Sequence, residues 1–204
     1  YSLPKDDFQK YVAFMLSDVE RLSENVNRIL DLARIEARSF ATDFVDTDLA
    51  QEIERFRSHN QHLFPQCRIE VHNEEGRAFP YRIDRTLFHM LLMNLVSNAV
   101  KYCRSATPRI DIDFADVKKK LVINFKDNGM GMEARHLKKI FRKFYQAGES
   151  DNRTARGTGI GLYLSQHIAR IHRGRLVADS DGPGKGSVLS LILPYDNKTP
   201  ENAT

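Results

Sequence analysis

Cysteine is scarce in this chain. Only Cys67 and Cys103 occur among 204 residues. Their spacing makes neither a metal site nor a disulfide framework, which fits a reducing, cytosolic setting. Long apolar runs are missing too. No stretch approaches the roughly 18 residues of a membrane span. No signal-peptide pattern is present, and the chain opens on Tyr1 rather than Met, so we expect a piece of a longer protein. There is no internal repeat and no low-complexity tract. Neither sign of charge dominates: 31 Lys and Arg face 27 Asp and Glu, a net +4. That excess is spread along the chain and makes no case for nucleic acid. With 41% hydrophobic and 28% charged residues, the chain suits a soluble globular domain with an appendage.

The appendage is expected at the N-terminus. Phe8, Val12, Met15, Val19, Leu22, Val26, Ile29 and Ala33 recur in steps of four and three. This is a heptad seam on a helix with no Gly or Pro after Pro4. One helix cannot bury such a seam alone, so residues 1–40 are expected to need partner helices.

After a linker expected over 41–47 the period changes. Asp48 reads as the N-cap of a helix over "LAQEIERFRSHNQHLF", and Asp84 as the N-cap of the next one. "CRIEVHN" reads as a strand. "RIDIDFADVKKKLVINFKDNG" reads as a hairpin whose second strand ends at Asp127. "EARHLKKIFRKFY" is expected to be helical. "GIGLYLSQHIARIHRG" reads as a helix stopped by Gly174. "RLVADS" and "SVLSLILP" read as a final hairpin around "DGPGKG". Together these predict an α+β domain over 48–195, one sheet under a helical layer. A polar tail over 196–204 is expected to fray.

The second of the capped helices, "LFHMLLMNLVSNAVKYC", is apolar except on one stripe. Asn94, Asn98 and Lys101 stand at i, i+4 and i+7, with Tyr102 beside them. A buried amide without a partner costs about 1–3 kcal/mol, so this stripe faces either solvent or a polar ligand. Two glycine clusters follow: "DNGMGM", ending a strand, and "GTGIGL", opening a helix. Glycines let backbone close on a ligand, and a helix N-terminus favours phosphate. Asp127 supplies an acceptor suited to an exocyclic amine. Each cluster alone is weak. "DNGMGM" by itself reads as a turn, and "GPGKGS" reads as a hairpin turn. No strand runs directly into "GTGIGL", so it fails the context of a dinucleotide fingerprint. The Walker lysine pattern is absent.

Order and spacing change that assessment. "NLVSNAVKY", "DNGMGM", "IFRKFYQ", "GTGIGL" and "GPGKGS" together resemble the N, G1, F, G2 and G3 boxes of sensor histidine kinases, over residues 84–194. "DVERLSENVNRILDLARIEA" resembles the second helix of that family's dimerisation and phosphotransfer hairpin. The resemblance implies a two-layer Bergerat-type fold, shared with gyrase, chaperone and mismatch-repair ATPases, and Mg²⁺ and ATP as cofactors. By this resemblance Asn98 ligates Mg²⁺, Asn94 supports the metal site, Lys101 meets phosphate and Tyr102 packs beside the nucleotide. Asp127 accepts from adenine N6, with Gly129 and Gly131 closing on the base. Gly157, Gly159 and Gly161, with Thr158, Ile160 and Leu162, form the turn over the phosphates. Ser187 floors the adenine pocket. The implied partners are a second copy, through the hairpin, and a response-regulator receiver domain. The implied parent sits in the bacterial inner membrane with this part facing the cytoplasm.

The sequence departs from the family at two places. The phosphoacceptor is a histidine followed by an acid. His59, His62, His72, His89, His136, His167 and His172 all lie beyond the first helix, and none precedes an acidic residue. The expectation is that the acceptor helix precedes this stretch. Gln146 stands where many relatives carry an arginine, leaving Arg142, Arg153 or Arg156 to meet the terminal phosphate from around a mobile lid. Three functions compete: histidine phosphotransfer, nucleotide binding without transfer, and ATP hydrolysis. Hydrolytic relatives place a glutamate base at the position of Asn94. An amide cannot deprotonate water, which disfavours hydrolysis.

Overall fold

The computed structural model describes residues 5–37, 42–73, 76–147 and 158–195. The chain divides into two compact units, 1–40 and 41–204. The first unit contains one helix, α1 (Lys5–Glu36). Phe8, Val12, Met15, Val19, Leu22, Val26 and Ile29 all lie exposed along it. No helix among the described residues is long and apolar enough to cross a membrane.

The second unit runs β1 (Phe44–Asp48), α2 (Leu49–Asn60), β2 (Arg68–His72), β3 (Pro80–Asp84), α3 (Arg85–Lys101), β4 (Arg109–Asp116), β5 (Lys120–Asp127), α4 (Ala134–Leu137), α5 (Gly161–Ile171), β6 (Arg175–Asp179) and β7 (Ser187–Pro194). Five strands form a mixed sheet in the order β2-β4-β5-β7-β6, in which only β2 and β4 run parallel. Alternation sorts its side chains. Ile110, Ile112, Leu121, Ile123, Phe125, Leu189, Leu191 and Leu193 are buried. Arg109, Asp111, Asp113, Asn124 and Lys126 line the other face, joined by ion pairs and hydrogen bonds. Leu87, Phe88, Leu91, Leu92, Leu95 and Val96 of α3 and Leu164 and Ile168 of α5 bury the helical layer. Each such side chain contributes about 1.5–3 kcal/mol.

Three expectations are corrected. Residues 44–48 fall in and just past the stretch expected to be a linker, yet they form β1. It pairs antiparallel with β3, a strand the sequence reading did not find. "EARHLKKIFRKFY" is helical only over Ala134–Leu137. It continues as turns, with Phe144 at φ +61° and its N–H donating to the Gly159 carbonyl (3.0 Å). That contact cannot coexist with a continuous helix. Gly174 follows the left-handed residue rather than being it: Arg173 takes φ +57°, and Gly174 N–H donates to Ala169 O (2.7 Å). Gly174 is still required, because a Cβ there would lie 2.6 Å from Ile192 O.

The two capping aspartates each do a second job. Asp48 Oδ1 accepts from Ala50 N (3.1 Å) and from Phe79 N (3.0 Å), tying α2 to the start of β3. Asp84 accepts from Leu87 N (3.0 Å) at the head of α3 and from Asp43 N (2.9 Å) before β1. His172 closes the other side. Its Nδ1–H donates to Ile168 O (2.8 Å) and its Nε2 accepts from Asp84 N–H (3.1 Å). Tyr81 O–H donates to His172 O (3.1 Å). Burial pushes the Tyr81 phenol up to about 12, so it stays a donor.

Replacing Asp84 with Ala removes both bonds and is expected to cost about 1–3 kcal/mol. The urea midpoint should fall with the slope unchanged, and Asp84→Asn should recover part of the loss. His172 is held neutral, since its Nε2 must accept, and burial pushes its pKa below the ordinary value. The unfolded state therefore binds a proton first as pH falls. Stability should be full above about 6.5 and decline as pH drops through 6.5 toward the lower folded value. Urea midpoints between pH 8 and pH 5 test this, with a flatter profile in His172→Gln.

Candidate functional site

α3 presents Asn94, Asn98, Lys101 and Tyr102 half-buried along one side, between buried leucines. The predicted stripe therefore exists, and it is half-buried rather than fully open to solvent. Gly161, at the start of α5, sits against it: a Cβ there would lie 3.2 Å from Asn94 Oδ1. α5 can begin at this distance from α3 because position 161 carries no side chain. Lys101 Nζ lies 5.2 Å from the centre of the Tyr102 ring. Tyr102 ends α3, its N–H donating to Asn98 O (2.9 Å).

The loop after β5 closes onto that end. Met130 N–H donates to Tyr102 O (2.9 Å). Gly129 is buried, and a Cβ on it would lie 2.7 Å from Asp127 Oδ1 and 3.0 Å from Tyr102 O. Asp127 Oδ1 accepts from Gly129 N (2.8 Å) and from Ser187 N (3.2 Å). No donor among the described residues reaches Oδ2. Burial pushes the Asp127 pKa up, against the two backbone N–H bonds that favour the carboxylate.

The segment between β6 and β7 is a turn, as expected of a hairpin, but it also laces into the Asp127 loop. Gly186 N–H donates to Gly129 O (3.1 Å) and Gly184 N–H to Met130 O (2.6 Å). Ser180 Oγ donates to Gly186 O (2.7 Å) and accepts from Met132 N (3.1 Å). The sequence reading missed Ser180; a single serine leaving a strand carries no signal of a long-range role. Gly131, at φ +62°, is enclosed by Gly182 O, Gly186 O and Ser180 Oγ. On the other side Gly159, at φ +69°, packs so that a Cβ would lie 2.6 Å from the Phe144 carbonyl carbon. Ile160 is buried and Leu162 half-buried, while Thr158 Oγ1 accepts from Ile160 N (3.4 Å).

The structure thus brings Asn94 beside Gly161, Tyr102 beside Gly129 and Met130, and Asp127 beside Ser187. Gly157, Arg153 and Arg156 lie outside the described residues. Among the described residues the one cluster with metal-ligand spacing is Glu70, His72 and Asp111, on the open face of the sheet. Arg109 bridges its two carboxylates.

Two amides, one lysine and one carboxylate thus lie on α3 and on the glycine-bearing loop that closes onto its C-terminal end. Comparison with known proteins identifies the family. The chain belongs to the histidine kinase-, DNA gyrase B- and HSP90-like ATPase family, whose model matches residues 83–197. Its relatives include sensor histidine kinase WalK of Bacillus subtilis, 29% identical over 94% of this chain and 31% of WalK. Sensor histidine kinase RppB of Synechocystis is 30% identical over 88% of this chain and 40% of RppB. The chain therefore spans less than half the length of these relatives. Among solved structures, the Acinetobacter baumannii histidine kinase AdeS superposes with a TM-score of 0.69 at 18% identity, over 97% of this chain and 88% of that one. The histidine kinase ThkA catalytic domain gives 0.61 at 22%, over 76% of this chain and 99% of that one. Both share the two-layer α+β fold.

Gly131→Ala should cost about 1–3 kcal/mol, because the added methyl collides with backbone carbonyls in a conformation L residues disfavour. Gly76→Ala shares the positive φ, at +58°, but meets nothing within 4 Å. It should cost about 1 kcal/mol. Thermal melts of the two variants side by side test the packing.

Proposed function

We propose that this chain holds Mg·ATP for transfer of the γ-phosphate to a histidine on a dimerisation hairpin, for relay to a response-regulator aspartate. One observation carries the reading: α3 sets Asn94 against Gly161 at the head of α5 and Tyr102 against Gly129 in the loop where Asp127 is held by two backbone N–H groups. In this reading the Asp127 carboxylate accepts from the adenine amine. Gly129 and Gly131 let backbone lie along the base, and Ser187 forms its floor. Lys101 meets phosphate as a point charge. Gly157 to Leu162 wrap the phosphates at the head of α5, and Arg153 reaches them from the adjoining segment.

The donor set suits Mg²⁺. Asn98 offers a hard amide oxygen on a half-buried face, and Mg²⁺ commonly takes few protein ligands beside phosphate oxygens and water. When bound, the metal neutralises charge on the phosphates. The protein contributes position and charge, which phosphoryl transfer chiefly needs. Asn94 adds no base, so water is not activated there. The exposed seam of α1 suits pairing with a second copy through a helical bundle, and the names of the relatives support a sensor kinase parent. We propose likewise that the parent is membrane-anchored and that this part faces the cytoplasm.

A second reading, nucleotide binding without transfer, draws on Gln146 and on seven histidines none of which precedes an acid. Phosphorylation of an added hairpin carrying an acceptor histidine separates the two. Persistent silence despite ATP binding favours the second.

Calorimetric titration of ATP tests the site. Asp127→Ala should weaken binding at least about 100-fold, since it removes an acceptor in a partly desolvated pocket. Asn98→Ala should abolish the dependence on Mg²⁺ while leaving metal-free binding intact. Unchanged affinity in Asp127→Ala would overturn the assignment. Because burial raises the Asp127 pKa, wild-type affinity should fall with decreasing pH from above the ordinary carboxylate range.

A further inference from the structure

An open groove of about 440 Å³ lies between the segment after α4, the outer side of α5 and the edge strand β6. It is separate from the face of α3 described above. Its apolar lining comes from Leu137, Phe141, Tyr163, Leu176 and Val177. Lys138, Arg142, His167 and Arg170 also line it. Lys138, Arg142 and Arg170 are exposed, and no salt bridge pairs any of these three with an acid among the described residues.

The lining holds three Lys and Arg, Lys138, Arg142 and Arg170, and no acid, and the segments that supply it are basic out of proportion to the chain. Residues 133–146 and 161–175 hold eight Lys and Arg against one acid, Glu133. That excess of seven compares with +4 for all 204 residues. Glu133 is itself engaged by Arg135 (2.9 Å). A concentrated positive field over an apolar floor favours an anionic partner that also brings apolar side chains. The sheet edge decides how such a partner is held. Leu176 N–H, which would otherwise sit open on the edge strand, donates to Gln166 Oε1 (3.0 Å). The edge is blunted, so an added strand would have to displace that bond. Recognition then falls to side chains. A helix with apolar anchors at i, i+3, i+4 and i+7 and acids on its flanks meets both the floor and the rim.

We propose that this groove docks an acidic amphipathic helix of a partner protein. The site stands apart from the nucleotide cradle, so it is tested with ATP binding as the control for an intact fold. The probe is a fluorescein-labelled helical peptide with Leu at the four anchor positions and Glu between them. A second peptide carries Lys in place of Glu. Titration into the full chain, followed by anisotropy, should saturate in the micromolar range for the Glu peptide. The affinity should fall at least tenfold in the Lys138→Glu/Arg170→Glu double variant and in Val177→Asp. It should also fall steeply between low and high salt. The Lys peptide should not bind. ATP titrations of both variants should match wild type.

Equal binding of the two peptides, or indifference to both variants, would overturn the proposal. So would failure of the Glu peptide to saturate. Two alternative occupants are distinguishable. Phosphatidylglycerol vesicles that bind wild type but not the double variant, with no peptide binding, would assign the groove to an anionic lipid surface instead. Self-association in sedimentation that the double variant abolishes would assign it to a second copy.

Discussion

The Asp127 carboxylate is the point on which the site hangs. One oxygen holds two backbone N–H groups, of Gly129 in its own loop and of Ser187 at the head of β7. β5 and β7 are already neighbours in register, Asp127 facing Ser187. The carboxylate converts that pairing into a fixed separation between the two loops that leave these strands. Ionisation is opposed by burial and favoured by the backbone donors. The balance is a carboxylate built into the domain floor with acceptor capacity left over. Such a group is rigid in place and not fully spent on its own fold.

Glycine sets how near the surrounding backbone can come. Gly129, Gly131, Gly159 and Gly161 would each, with a Cβ, meet a neighbour at 3.2 Å or less. These are contacts between elements distant in sequence: the end of α3, the turn between β6 and β7, the Phe144 turn and Asn94. The same absence of side chain therefore serves two ends. It lets the loops interlock, and it brings the start of α5 up against Asn94 on α3's polar side. Around this, Asp48, Asp84 and His172 lock the β1–β3 ribbon to α2, α3 and α5. The helix carrying Asn94 and Asn98 is thus held at its N-terminus by Asp84 and at its C-terminus by the Met130 bond to Tyr102.

Much of this was legible in the chain. Two helix starts were readable because Asp48 and Asp84 precede apolar periodic runs. The β4–β5 hairpin was readable because its strands alternate cleanly. The polar stripe of α3 needed only the 3.6-residue period. β1 and β3 were not legible. Each is five residues long, and each is specified by the other and by the aspartate cross-ties rather than by local composition. The helix expected through Phe144 failed for the opposite reason. Its local preference is helical, but the Gly159 contact bends the chain into turns. The hairpin turn over 182–187 was found, while its second role in clamping the Asp127 loop was not. That role depends on Ser180 and on main-chain groups, which look alike in any sequence.

The sequence alone determined most element types, β1, β3 and the stretch through Phe144 excepted, and the polar face of α3 with its amides, a lysine, an acid and glycines in a set order. These follow from local periodicity and residue chemistry, which need no tertiary information. Only the tertiary structure decided that Gly161 abuts Asn94 and that Asp127 holds Ser187. It alone decided that the basic residues after α4 and along α5 converge on one apolar groove. Those juxtapositions join positions tens of residues apart. They are set by strand register and helix packing, and no window of the sequence contains both partners.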